Sequence, residues 1–139
     1  MKIKKLGNFW VLRLERGDKF SQVLEKFLGS QKISAGYFFG LGSTSQVTLS
    51  YFNPLKKSYH DCTFRKNLEI INLIGNIARL DNKIIFHAHI CLSGPDFKAI
   101  GGHLKDLICG PTIEIYLTGL PGKINRKFNL RVGLNLLDI

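Results

Sequence analysis

The sequence lacks the long hydrophobic run of roughly 18 residues that a membrane-spanning helix needs. Its basic start, Met1–Asn8, is followed by no long apolar segment and no small-residue cleavage site, so we expect no secretory signal. The three cysteines, Cys62, Cys91 and Cys109, are odd in number and form no C-x-x-C pair. These absences argue against a membrane protein and against a disulfide framework, and they favour the reducing cytoplasm.

Acidic residues are also scarce, with 10 Asp and Glu against 20 Lys and Arg, which gives a net charge of +10. Such a charge attracts phosphate backbones, anionic surfaces and acidic ligands. The basic residues occur in short pairs such as Lys56-Lys57 and Arg126-Lys127. They do not form the longer blocks that mark a nucleic-acid-binding tail. A coding bias toward Lys, Ile and Asn would give the same charge without any selected partner, and this alternative stays open.

At 139 residues, 45% of them hydrophobic, the chain has the size and composition of one globular domain spanning 1–139. A helical apolar stripe occurs only at Lys19–Leu28, where Asp18 can cap the start and Gly29 can end the helix. This predicts one principal amphipathic helix at about residues 18–29.

The remaining chain has the short alternating patterns of strands. Asp81-Asn82 is predicted to be a tight turn that joins two of them into a hairpin. One helix among many hairpin-connected strands predicts an α+β fold with a mainly antiparallel β-sheet. The predicted strands are Asn8–Arg16, Ile33–Leu41, Gln46–Phe52, Lys57–Phe64, Leu68–Leu80, a histidine-bearing strand ending at Leu92, Thr112–Thr118 and Phe128–Leu137.

Three of the four histidines lie within Ile85–Gly110. His87 and His89 are two residues apart, which places both imidazoles on one face of a strand. After a turn at Ser93–Asp96, the chain can return and deliver His103. Two histidines on a strand and a third from a returning segment form the pattern of a three-histidine zinc site with an open fourth position. The alternative is a set of hydrogen-bonded core or rim histidines, because H-x-H also occurs by chance.

Other residues are weaker candidates for a site. Cys91 falls on the face of His87 and His89 and is either a fourth ligand or a buried inert thiol. Glu69 and Glu114 are candidate catalytic carboxylates, since either could orient a histidine or act as a base, or could simply face solvent.

Gly40, Gly42 and Ser43 form a possible loop site. They lack the Gly-Lys-Ser/Thr of a phosphate loop, so a turn or a close backbone approach is the alternative. Tyr37, Phe38 and Phe39 could stack on bases, but their apolar segment predicts core positions.

Several motifs together resemble one family, the plant and prokaryote conserved (PPC) domain, which accompanies AT-hooks in plants and stands alone in prokaryotes. The match runs from the first strand to about Glu114. It comprises V-L-R-L-E-R-G-D at Val11–Asp18, G-L-G-S at Gly40–Ser43, V-T-L-S-Y-F-N-P at Val47–Pro54, L-E-I-I-N-L-I-G-N-I-A at Leu68–Ala78, H-A-H-I-C-L-S-G-P-D at His87–Asp96 and G-G-H-L at Gly101–Leu104.

The resemblance implies an α+β sandwich and a homotrimer. The family fold is also similar to that of acetolactate decarboxylase, whose zinc is held by an H-x-H pair and a later histidine. His87, His89 and His103 fall on that pattern, which implies a divalent metal, zinc by analogy. The decarboxylase's other catalytic residues find no counterpart in this chain.

Family members are also described as DNA-binding, but the AT-hook core is absent here, because Arg16-Gly17-Asp18 lacks its second Arg and its Pro. Two functions are therefore expected. One is a homotrimer that binds DNA electrostatically and carries a three-histidine metal site. The other is a metal-dependent lyase or hydrolase acting on a small anionic substrate.

Overall fold

The computed structural model describes residues 1–139 as nine strands and one helix. The elements in chain order are β1 (Lys2–Leu6), β2 (Phe9–Glu15), α1 (Phe20–Gln31), β3 (Gly36–Asn53), β4 (Ser58–Phe64), β5 (Leu68–Leu80), β6 (Lys83–Ser93), β7 (Ala99–Gly119), β8 (Asn125–Asn129) and β9 (Leu134–Asp138). This confirms the predicted α+β fold. No helix has the length and the apolar character that crossing a membrane requires.

All nine strands belong to one sheet, and only the short contact of β5 with β8 is parallel. The long strands β3 and β7 pair with each other, β5 pairs with β3, and β6 pairs with both β5 and β7. These pairings close a ring, so that β6 lies between β5 and the first residues of β7. The predicted hairpin at Asp81-Asn82 is confirmed, because β5 and β6 pair from Leu80↔Lys83 onward.

The helix packs its apolar stripe into the main core, and Phe20, Leu24, Phe27 and Leu28 are buried. Its predicted end was wrong: α1 passes through Gly29 and stops when Lys32 adopts a left-handed conformation with φ 54°. The predicted cap was also wrong. Asp18 accepts a hydrogen bond from the Glu15 amide instead, at 2.9 Å.

Four strand predictions needed correction. The predicted strand Thr112–Thr118 is only the last part of β7, which begins at Ala99. Strand β1 was missed because all five of its residues are exposed and show no alternation. The predicted strands Ile33–Leu41 and Gln46–Phe52 form the single strand β3, because β-bulges let it continue through its glycines. The predicted strand Phe128–Leu137 is instead two strands, β8 and β9.

Side-chain alternation corrects two further expectations. Phe38 is fully buried, whereas Tyr37 and Phe39 are about half exposed, so only the middle aromatic residue belongs to the core. Strict alternation over the predicted strand Leu68–Leu80 would place Ile71 on one face with Leu73 and Ile77, but Ile71 is exposed while they are buried. The register shifts between Ile70 and Asn72, and the extra residue there turns Ile71 to the other face.

Candidate metal centre

The register of the sheet brings three histidines together. His89 of β6 lies directly opposite His103 of β7, and His87 lies two residues from His89 on the same face. The opposite face of β6 anchors the strand, because Ala88, Ile90 and Leu92 are buried in the core. The alternation predicted from the sequence therefore delivers the imidazoles to one point at the surface.

The three imidazoles converge closely. Their candidate ligand atoms all lie within 4.8 Å of one another, and the ring centroids are 4.9–5.5 Å apart. His87 Nε2 and His89 Nε2 are separated by 3.2 Å. Two nitrogens bound to a tetrahedral zinc at about 2.0–2.1 Å would be about 3.4 Å apart. The pair thus has the spacing of two ligands on one ion, and equally that of a direct hydrogen bond between two neutral imidazoles.

The electrostatics of the site favour neutral imidazoles, the form that binds metals. Burial, followed by the nearby charges of His103, Arg126 and His89, lowers the pKa of His87 to about 4. Burial also lowers the pKa of His103, while the carboxylate of Asp61 opposes the shift. No carboxylate joins the cluster itself, which contains only histidines.

One side of the histidine cluster is closed by residues that the sequence did not indicate. Arg126 Nη2 donates to Asn76 Oδ1 at 2.8 Å and lies 3.4 Å from His87 Nδ1. Its Nη1 donates to the backbone oxygen of Asn135 at 2.9 Å. The Tyr59 ring lies beside His103, with centroids 5.4 Å apart. Arg126 lies 39 residues after His87, and Tyr59 lies 28 residues before His87. No local spacing in the sequence could therefore connect Arg126 or Tyr59 with the histidines.

The other sequence candidates lie apart from this cluster. Gly40, Gly42 and Ser43 are inside β3 and form no loop. Gly42 instead fits the alternative of a close backbone approach. Its φ is 139°, and an added Cβ would lie 2.3 Å from the Thr112 backbone oxygen. Cys91 pairs with Asn72 and Gly101 and is not among the clustered ligand atoms.

Neither glutamate lies in the histidine cluster. Glu69 lies opposite Ser43 and Ser93 and borders a separate cavity with Arg16 and Asn67. Glu114 pairs across the sheet with Arg13 and Leu41. A catalytic role for either carboxylate at the three-histidine site therefore lacks geometric support.

Solved structures of similar proteins share this fold. A candidate DNA-binding protein from Bacteroides thetaiotaomicron is 33% identical, with a TM-score of 0.95 and coverage of 99% of this chain and 96% of that chain. A metal-containing protein from Archaeoglobus fulgidus is 30% identical, with a TM-score of 0.89 and coverage of 99% of both chains.

A more distant likeness concerns the fold alone. Acetolactate decarboxylase from Bacillus subtilis subspecies spizizenii is 16% identical, with a TM-score of 0.57 and coverage of 83% of this chain and 53% of that chain. A comparison with curated proteins finds no match.

The Plants and Prokaryotes Conserved (PCC) domain, the PPC domain that the sequence motifs resemble, matches residues 1–121. That span contains β1 to β7 and therefore all three clustered histidines. The chain accordingly belongs to the Plants and Prokaryotes Conserved domain family.

Proposed function

We propose that the protein binds one divalent metal ion, zinc, through His87, His89 and His103, and that it uses this centre on a small anionic ligand. The observation that carries the proposal is the convergence of three imidazoles within 4.8 Å on one face of the sheet. The name of the Archaeoglobus relative, a metal-containing protein, supports it. The three free thiols support a reducing compartment, the cytoplasm.

The ligand set determines the type of centre. Three neutral imidazoles leave one position of a tetrahedral zinc open, as in catalytic rather than structural sites. Zinc held by the three histidines would supply a Lewis acid able to polarise an oxygen of the ligand. Arg126 and Tyr59 border the adjacent cavity and would contact a ligand that enters it. This arrangement fits a lyase or hydrolase.

Elemental analysis after zinc loading and exhaustive dialysis tests the metal centre. We expect about one zinc per chain in the wild type and a loss of at least about tenfold in zinc affinity for His89→Ala. The matched control is His60→Ala, because His60 is exposed on β4 and outside the cluster. A wild-type protein that retains no zinc, or a His60→Ala variant that loses as much as His89→Ala, would refute the metal centre.

We also propose that the chain forms the homotrimer that its family resemblance implies. The surface that supports this is an apolar face, defined as Tyr37, Phe39, Ile74 and Tyr116. Phe39 pairs with Ile74 of β5 and with Tyr116 of β7, and Tyr37 lies two residues before Phe39 on the same face of β3. Phe39 and Tyr116 stack with centroids 5.3 Å apart, although Phe39 is 51% and Ile74 56% exposed. A continuous exposed apolar patch of this kind is typical of an interface between proteins.

DNA binding is the second candidate function, favoured by the edge hairpin of β1 and β2. Lys2 pairs with Arg13 and Lys4 with Val11, so Lys2, Lys4 and Arg13 share one exposed face at the edge of the sheet. Basic side chains on such a face would contact the phosphates of the DNA backbone. The candidate DNA-binding relative from Bacteroides adds support.

A gel-shift titration across salt concentrations tests this second function. Binding that weakens steeply with salt is expected, with little sequence preference. The double variant Lys2→Glu, Lys4→Glu should weaken binding more than its control, Arg65→Glu, Lys66→Glu, which changes the same charge at another exposed pair. Absence of binding at low salt would remove DNA as a partner.

A further inference from the structure

The C-terminal hairpin formed by β8 and β9 lies beyond residues 1–121, the span that matches the family domain. It joins the sheet through β8, where Asn125 and Arg126 pair with Arg79 and Leu80 at the end of β5. The Arg79 amide donates to the Ile124 oxygen at 2.7 Å and holds the approach to the hairpin in place. This segment therefore places Arg126 at the histidine cluster, although the family match does not include it.

Arg126 is a cation without an anion. It is absent from all six ion pairs of the chain, and its partners are the Asn76 amide oxygen, the Asn135 backbone oxygen and a histidine ring. The side chain is half-buried and no carboxylate pairs with it, so its charge is uncompensated. A guanidinium has five N–H donors, and the two short bonds leave others free. Free donors on a partly buried cation are the groups that bind an oxyanion.

The cavity in front of Arg126 combines polar and apolar lining residues. Its volume is about 330 Å³, and His87, His103, Arg126 and the hydroxyl-bearing Tyr59 are among the residues that line it. Ile85 and Phe128 are among its apolar lining residues. No Asp or Glu lines the cavity, so nothing within it neutralises Arg126. Phe128 is 55% exposed, so apolar surface on this wall remains available to a ligand.

We infer that this cavity binds a small organic carboxylate with an apolar body. The carboxylate accepts hydrogen bonds from Arg126, and the apolar body lies against Ile85 and Phe128. The assignment rests on the proposed function, because it names the anionic ligand whose reacting end would lie beside the three histidines. Inorganic phosphate fits less well, since it would bring a multiply charged, fully hydrated ion to a largely apolar wall.

Calorimetric titration with 3-methylbutanoate tests the inference, with the neutral 3-methylbutanamide and inorganic phosphate as comparison ligands. We expect saturable binding of the acid to the zinc-loaded protein, and binding of the amide and of phosphate that is at least about tenfold weaker. Loss of a charged hydrogen bond predicts that Arg126→Gln weakens binding of the acid about 10- to 100-fold. The matched control is Arg131→Gln, which removes the same charge from an exposed position of the same hairpin and should leave affinity within about twofold.

A second variant tests the same cavity if Arg126→Gln fails to fold. Phe128→Asp keeps Arg126 but places a negative charge on the same face of β8, where the Phe128 side chain is 55% exposed, and it should also weaken binding at least about tenfold. The inference is overturned if no saturable binding of the acid occurs, if phosphate binds more tightly than the acid, or if Arg126→Gln binds the acid as the wild type does. Zinc content, measured separately on each variant, distinguishes a failure of carboxylate binding from a failure of zinc binding.

Discussion

Among single residues, the cysteines differ most in their surroundings. Cys109 is fully buried, and desolvation raises the pKa of its thiol to about 11, whereas Cys62 is exposed on β4. Only thiolates react with alkylating or disulfide reagents at an appreciable rate. The burial of Cys109 agrees with the absence of a disulfide framework and assigns this residue to packing.

We predict that an aromatic disulfide reagent at pH 8 labels Cys62 quickly and Cys109 only after unfolding. The raised pKa also means that the folded protein holds the Cys109 proton more tightly than the unfolded chain. The contribution of Cys109 to stability is therefore full below pH 9 and is lost as the pH rises toward 11. Labelling of Cys109 in the native protein at the rate of Cys62 would contradict this account.

Gly75 lies on β5 beneath the histidines and leaves no room for a side chain. A Cβ at this position would come within 2.3 Å of the Phe38 ring and 2.8 Å of the His87 backbone oxygen. We predict that Gly75→Ala lowers the free energy of unfolding by about 1–3 kcal/mol and weakens zinc binding, because the strand carrying His87 must shift. Urea denaturation and zinc titration of the same variant provide the measurement.

The matched control for Gly75→Ala is Gly29→Ala. Gly29 lies inside α1, and nothing lies within 4 Å of the position that an alanine methyl group would occupy there. Alanine is favoured over glycine in a helix by about 0.5–1 kcal/mol, so this substitution should stabilise the protein. Equal effects of the two substitutions would show that Gly75 is not constrained by its neighbours.

Among the elements, α1 depends on a residue distant in sequence. Its N-cap residue Lys19 makes no side-chain capping bond. Instead, Asp106 of β7 accepts hydrogen bonds from the Ser21 amide at 3.1 Å and from the Ser21 hydroxyl at 2.8 Å. A backbone amide of the first helical turn, which has no partner within the helix, is thus hydrogen-bonded to the sheet on which the helix packs.

We predict that Asp106→Ala lowers the free energy of unfolding by about 1–2 kcal/mol, the usual cost of losing a helix cap. Ser21→Ala should cost less, because it retains the bond between the Ser21 amide and Asp106. Both changes can be measured by urea denaturation followed by circular dichroism. A larger loss for Ser21→Ala than for Asp106→Ala would contradict the capping role of Asp106.

The elements also show how much of the fold local sequence patterns could predict. The bounds of β5 followed from its long run of strand-favouring residues, and the buried face of β6 followed from alternation, because that face packs on the core. The convergence of His103 with His87 and His89 could be proposed, since a turn and a return segment separate them by few residues. The fusion of two predicted strands into β3 could not, because Gly40 and Gly42 are ordinary strand breakers unless a partner strand approaches closely.

The part of the site that escaped prediction is non-local. Arg126 reaches His87 only because the hairpin of β8 and β9 pairs with the end of β5. Strand β8 has no alternating apolar face that would have indicated this pairing, since four of its five residues are exposed. Sequence patterns therefore predicted the candidate metal ligands, whereas the charge and the apolar wall beside them required the folded structure.

At the scale of the whole molecule, the apolar face and the histidine cluster share one surface of the sheet. Phe39 pairs with Ile74, Ile74 with His89, and His89 with His103, so a single row of cross-strand neighbours connects them. A second copy bound to the apolar face would therefore approach the histidine cluster. Assembly and the chemistry of the site should depend on each other.

We predict that Phe39→Glu converts a homotrimer to monomers, because three carboxylates would be buried in the apolar interfaces. Sedimentation velocity measures the change directly. Phe128→Glu is the control, since Phe128 is similarly exposed but lies on the hairpin outside the apolar face. A wild-type chain that sediments as a monomer would remove the trimer proposal, and a trimeric Phe39→Glu variant would exclude this face as the interface.

Anomalous diffraction at the zinc absorption edge, from crystals of the zinc-loaded protein, tests the proposed metal centre most directly. The account predicts one anomalous peak per chain, about 2.0–2.1 Å from a nitrogen of each of His87, His89 and His103. A map without a peak among these rings, or with the zinc bound elsewhere on the chain, would contradict it.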